Sequence, residues 1–214
     1  MECKDTMKTI FGNNEANIVL IQPVDEHDLD IMEQEIEIIQ KETTVDFQLI
    51  AYPIKNWNHE LSPWEAPAVF GKEGFGAGAN KTLQEILKCC EDKSKTYILG
   101  GYSLAGLFAL WAAYQTDAFT TIATASPSVW FPGYIDYMKN HKFLARAAYL
   151  SLGDREEKTK NPTMSQVGNC IREAHEILTQ SNVQTTLEWN PGNHFKDPEL
   201  RTAKAFAWAI QNCI

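Results

Sequence analysis

No run of apolar residues in this chain approaches the roughly 18 that a membrane-crossing helix needs. Its first ten residues, Met-Glu-Cys-Lys-Asp-Thr-Met-Lys-Thr-Ile, lack the apolar stretch of a secretory signal. Basic residues are few: 19 Lys and Arg stand against 28 Asp and Glu, a formal charge of −9. Nucleic acid and anionic membrane surfaces call for clustered cations, so neither is an expected partner. The same balance weighs against a highly anionic ligand, unless a local basic pocket overrides the average. The five cysteines, Cys3, Cys89, Cys90, Cys170 and Cys213, are odd in number and form no CxxC, as expected of reduced thiols in a cytoplasmic protein. Cysteines and histidines show no metal-ligand spacing, so no metal and no cofactor are expected. Internal repeats, low-complexity tracts and linkers are also missing, which leaves one domain over residues 1–214. The sequence sets no oligomeric state.

What is present is enough for a sizeable core, since 44% of residues are hydrophobic. Strand-like runs fall at 7–12, 17–24, 46–54, 95–102, 119–125, 147–152 and 183–189. Helical spacing appears at 28–42, 82–93, 104–115, 134–141, 164–180 and 198–212. This alternation predicts an α/β sandwich of three layers: a mostly parallel sheet with helices on both faces and no cap domain. Residues 55–81 form a long irregular stretch rich in Trp, Pro and Gly. Its aromatics favour a packed loop, a candidate wall for a site. The glycines between Gly71 and Gly78 do not make a phosphate loop, because no strand runs directly into them and Asn80 stands where that motif needs glycine.

The most informative segment is Tyr97-Ile-Leu-Gly-Gly-Tyr-Ser-Leu-Ala-Gly106. It reads as a buried strand, a sharp turn and a helix start, with Ser103 at the apex between small residues. That is the pattern of a nucleophile elbow. A serine hydroxyl is a poor nucleophile near neutral pH and needs a general base, which in turn needs an orienting acid. In a parallel sheet such residues belong at the carboxyl ends of strands. Gly153-Asp-Arg-Glu-Glu and Asn190-Pro-Gly-Asn-His194 both lie at such ends. His194 is the candidate base, and Asp154, Glu156 and Glu157 are candidate acids. The chain order of serine, acid and histidine is that of serine hydrolases built on this sheet. Of the other histidines, His27 lies near the loop after the 17–24 strand, His59 in the long loop, and His141 and His175 on helix surfaces.

Gly101-Tyr-Ser103-Leu-Ala105-Gly106, Gly153-Asp-Arg-Glu156 and Pro191-Gly-Asn-His194 resemble, in this order, the α/β-hydrolase superfamily. Within it the chain is similar to the esterase group that includes esterase D and the enterochelin esterases, over about residue 17 to the C-terminus. One departure is plain: the family's second glycine after the serine is replaced by Ala105. The resemblance implies that Glu156 ranks first among the acids. It also implies an oxyanion hole formed by the Leu104 N–H and by Asp25 or Glu26 in the loop after the 17–24 strand. Trp130 and Trp57 are candidate pocket residues. The implied activity is hydrolysis of a small-molecule carboxylic ester through a Ser103–His194–Glu156 triad. Alternatives are acyl transfer on the same triad and a non-catalytic binding protein on the same fold.

Overall fold

A computed structural model of the chain describes residues 8–69 and 71–213. Its seven strands are β1 (Thr9–Gly12), β2 (Ile18–Val24), β3 (Phe47–Pro53), β4 (Thr96–Tyr102), β5 (Thr121–Ala125), β6 (Ala147–Gly153) and β7 (Gln184–Asn190). They form one sheet in the order β1-β3-β2-β4-β5-β6-β7. β1 runs antiparallel to β3, and all other neighbours are parallel. Every residue of β2, β5 and β6 is buried, as expected of strands covered on both faces.

The helices are α1 (Glu26–Glu42), α2 (Trp57–Glu60), α3 (Ala79–Leu87), α4 (Ser103–Ala112), α5 (Tyr134–Asn140), α6 (Val167–Gln180) and α7 (Pro198–Gln211). Two cores result. One joins α3, α4, α5 and α6 to one sheet face; the other joins α1 and α7 to the opposite face. All of α4 after Ser103 is buried, which explains why that helix is apolar all round. The sheet order turns back at β2: β3 lies on one side of it and β4 on the other. Such a switch opens a crevice at the carboxyl ends of the strands, where ligands bind in open α/β sheets.

Element boundaries shift where capping outweighs periodicity. α1 starts two residues before its periodic pattern, because the Asp25 carboxylate accepts from the N–H groups of His27 and Asp28. Within the 55–81 stretch, Asn56 caps the single turn of α2. α3 begins at Ala79, three residues early, and ends at Leu87, with Lys88–Cys90 continuing as turns. Met164–Gln166 is a 3-10 turn that leads into α6. Among the described residues, no helix is long and apolar enough to cross a membrane.

Candidate active site

β4 ends in Gly100-Gly101-Tyr102 and reverses at Ser103, whose φ of 55° is left-handed. That conformation is strained for a residue with a side chain. It projects the hydroxyl from the tip of the sheet. The turn closes tightly: a Cβ on Gly101 would lie 2.7 Å from the methyl of Ala105, and one on Gly100 would lie 2.5 Å from the Ala123 carbonyl oxygen. Ala105 therefore fits because position 101 has no side chain. The methyl occupies space left on the strand side of the elbow, so the turn keeps its shape without a glycine at 105.

Ser103 Oγ lies 3.1 Å from His194 Nε2, and His194 Nδ1 lies 2.8 Å from Glu156 Oε2. These three residues, from the ends of β4, β6 and β7, form one hydrogen-bonded chain. The other acids of the Glu156 loop turn elsewhere. Asp154 accepts from the Gly192 N–H at 2.8 Å, which ties this loop to the histidine loop. Glu157 pairs with Arg172 at 3.3 Å.

Glu156 has partners on both oxygens. Its Oε1 accepts from the Gly153 N–H at 2.7 Å, the Ser126 hydroxyl at 2.7 Å and the Arg201 guanidinium at 3.0 Å. Burial alone would raise this carboxyl. The hydrogen bond and charge of His194, with those from Ser126 and Gly153, outweigh burial and hold it below the usual carboxylate value. Arg201 is 1% exposed. A buried guanidinium is costly unless its donors are satisfied. It also donates to the Tyr102 and Ser126 hydroxyls and to the Pro191 and Asn193 carbonyls. The Tyr102 hydroxyl donates to the His194 carbonyl at 2.6 Å. One arginine thus joins the ends of β4, β5, β6 and the histidine loop.

Arg201, Ser126 and Tyr102 are absent from the sequence-based set. Arg201 carries a signal in retrospect: it is a charge on the face of α7 that buries Thr202, Ala205, Ala209 and their neighbours. Ser126 has none. Its φ of 45°, like that of Ser103, appears only in three dimensions.

A cavity of about 450 Å³ opens beside Ser103 and His194. Trp130, Pro127, Leu152, Met164 and Val167 supply apolar wall, and Phe195 stands at the histidine side, 86% exposed. The 55–81 stretch backs this wall rather than forming it. Phe75 meets Trp130 edge to face at 6.2 Å, and Trp64 donates to the Pro132 carbonyl at 2.9 Å. Trp57 lies in α2, packs against the main core and does not line the cavity. Its apolar ring is used in packing instead.

The Leu104 N–H sits in the first turn of α4, where helix N–H groups have no partner within the helix. Asp25 differs from the expectation. Its own N–H donates to the Asp28 carboxylate at 3.1 Å, and its carboxylate caps α1. A reciprocal capping box thus takes up the group that an oxyanion would need. Glu26, the first residue of α1, has its N–H at the open helix end.

No family model and no curated protein sequence matches the chain. Solved structures do. The enterobactin esterase of Shigella flexneri aligns over 97% of this chain and 56% of its own, at a TM-score of 0.66 and 12% identity. The chain therefore spans little more than half of that esterase. YahD, solved with malic acid, aligns over 95% of this chain and 99% of its own, at a TM-score of 0.55 and 14% identity. The capsule O-acetyltransferase of Neisseria meningitidis serogroup A aligns over 96% and 92%, at a TM-score of 0.54 and 10% identity. With these likenesses beside the strand order and the turn at Ser103, the chain has the α/β-hydrolase fold, and the described residues include no cap domain.

Proposed function

We propose that this chain is a serine esterase that acts through an acyl-enzyme. The observation that carries the reading is the continuous hydrogen-bonded chain from Ser103 through His194 to Glu156. Ser103 attacks the acyl carbon while His194 Nε2 takes its proton. The tetrahedral oxyanion is met by the Leu104 N–H at the helix N-terminus, with Glu26 as the candidate second donor. His194 then protonates the leaving alcohol, water attacks the acyl-enzyme, and Ser103 is released. Glu156 stays ionised throughout. It holds the imidazole in the tautomer that leaves Nε2 free to accept, and it stabilises the imidazolium. The likeness to the enterobactin esterase supports this reading at the level of reaction class.

Replacing Ser103 by Ala is expected to lower kcat on 4-nitrophenyl acetate by about 10⁴-fold or more. Turnover within tenfold of the parent protein overturns the mechanism. The O-acetyltransferase likeness favours one second reading, in which an alcohol rather than water takes the acyl group. Product analysis in the presence of competing alcohols separates the two: transfer products in place of free acid point to the transferase.

A further inference from the structure

The turn that supplies Glu156 also carries two cations, and both reach the cavity. Arg155 and Lys158 are exposed and line it, together with Ser103 and His194. Neither has an ion pair among the described residues. The loop is not loose. The Arg155 N–H donates to the Gly192 carbonyl at 3.0 Å and the Lys158 N–H to the Arg155 carbonyl at 3.1 Å. Asp154 and Glu157, the neighbouring acids, are drawn away to Gly192 and Arg172. Among the described residues, the one carboxylate that lines the cavity is Glu156, and Arg201 and His194 already engage it. A chain of net charge −9 therefore presents an uncompensated positive rim at its own reactive serine.

We propose that the ester bears a carboxylate, held by Arg155 and Lys158 at the mouth of a pocket whose wall is largely apolar. The inference rests on the esterase reading of this site. Trp130, Met164 and Val167 take the hydrocarbon or aromatic body, while the two cations take the charge. A guanidinium suits a carboxylate because its planar donors match both oxygens. The negative field of the whole chain disfavours polyanions, so a single charge is the best match to a two-cation rim.

Two ester pairs test this, one with the charge on the acyl side and one with it on the alcohol side. The first is 4-nitrophenyl hemiglutarate against 4-nitrophenyl valerate. The second is 4-acetoxybenzoate against its methyl ester. In at least one pair, kcat/KM is expected to favour the anion by about tenfold or more, roughly 1.4 kcal/mol. That ratio is expected to collapse in the double variant Arg155→Gln/Lys158→Gln, to invert in Arg155→Glu, and to fall with added salt. Equal rates within both pairs, or a ratio unmoved in the double variant, overturn the proposal while leaving the esterase reading intact. Absence of turnover on all four esters overturns the esterase reading instead. The anion site is then judged by calorimetric titration of the Ser103→Ala protein with 4-acetoxybenzoate and its methyl ester. Tighter binding of the anion that is lost in the double variant upholds the site, and equal binding removes it.

Discussion

Within five residues of sequence, Asp154, Glu156 and Glu157 show how much a carboxylate's role depends on where its oxygens point. Glu156 reaches His194, Asp154 holds a backbone N–H of the histidine loop, and Glu157 faces Arg172. The proposed mechanism therefore assigns them different kinetic weights. Glu156→Gln keeps the shape but turns one oxygen into a donor and removes the charge facing the imidazolium. Its kcat on 4-nitrophenyl acetate is expected to fall by about 10³–10⁴-fold. Asp154→Asn and Glu157→Gln are expected to stay within about tenfold of the parent protein. Crippled turnover in Asp154→Asn with near-normal turnover in Glu156→Gln would reverse the assignment. In the sequence the three acids are chemically equivalent, and only the family resemblance ranks them. What Arg201 engages was hidden by distance: its contacts span up to 99 positions along the chain, beyond any local pattern.

At the scale of elements, the elbow between β4 and α4 depends on close approach. The strained serine is held because strand and helix pack with almost no side chain between them. Gly101 is the position where this shows, since a methyl there would overlap that of Ala105. Gly101→Ala is expected to destabilise the fold by about 1–3 kcal/mol, read as a shift in urea midpoint. Adding Ala105→Gly is expected to recover part of the loss. A second substitution that recovers nothing would show that the two methyls do not compete. The existence of each strand and of every helix but the single turn of α2 was readable from periodicity, because apolar runs and 3.6-residue spacing follow directly from burial. Ends were less so. The start of α1 was set by Asp25 and that of α3 by the packing of the preceding loop, including the Thr82 hydroxyl donating to the Glu60 carbonyl at 2.7 Å. The same capping box redirected the Asp25 N–H, which the sequence alone left available for an oxyanion.

At the scale of the whole molecule, acidity reaches into the core. Glu35 on α1 is 2% exposed, with the Gln22 side-chain amide donating to it at 3.3 Å. Burial pushes its carboxyl up to about 8; the Gln22 hydrogen bond opposes this, and the charges of Asp28 and Glu199 add to it. The folded state thus prefers the neutral acid. Its contribution to stability is full below the unfolded value near 4.5 and declines as pH rises toward about 8. Glu35→Gln is expected to raise stability at pH 7 by up to about 3 kcal/mol, and to have little effect at pH 4. Urea midpoints of the two proteins at both pH values check this. A difference that does not grow with pH would place the penalty elsewhere.

Composition and alternation determined a three-layer α/β sandwich by themselves, because both are local consequences of burial and backbone geometry, and the order of three short motifs added the resemblance to α/β-hydrolases. They also singled out Ser103 and His194 as candidates, since turn chemistry and loop position are written in neighbouring residues. Tertiary structure decided what distance along the chain conceals. It brought Glu156 rather than Asp154 or Glu157 within 2.8 Å of the imidazole and set Arg201 behind it. It set half-buried Trp57 against the main core away from the cavity, and Trp130 at the cavity wall. It also gathered two cations at the mouth of an acidic protein's site, where a net charge summed over 214 residues carries no sign of them.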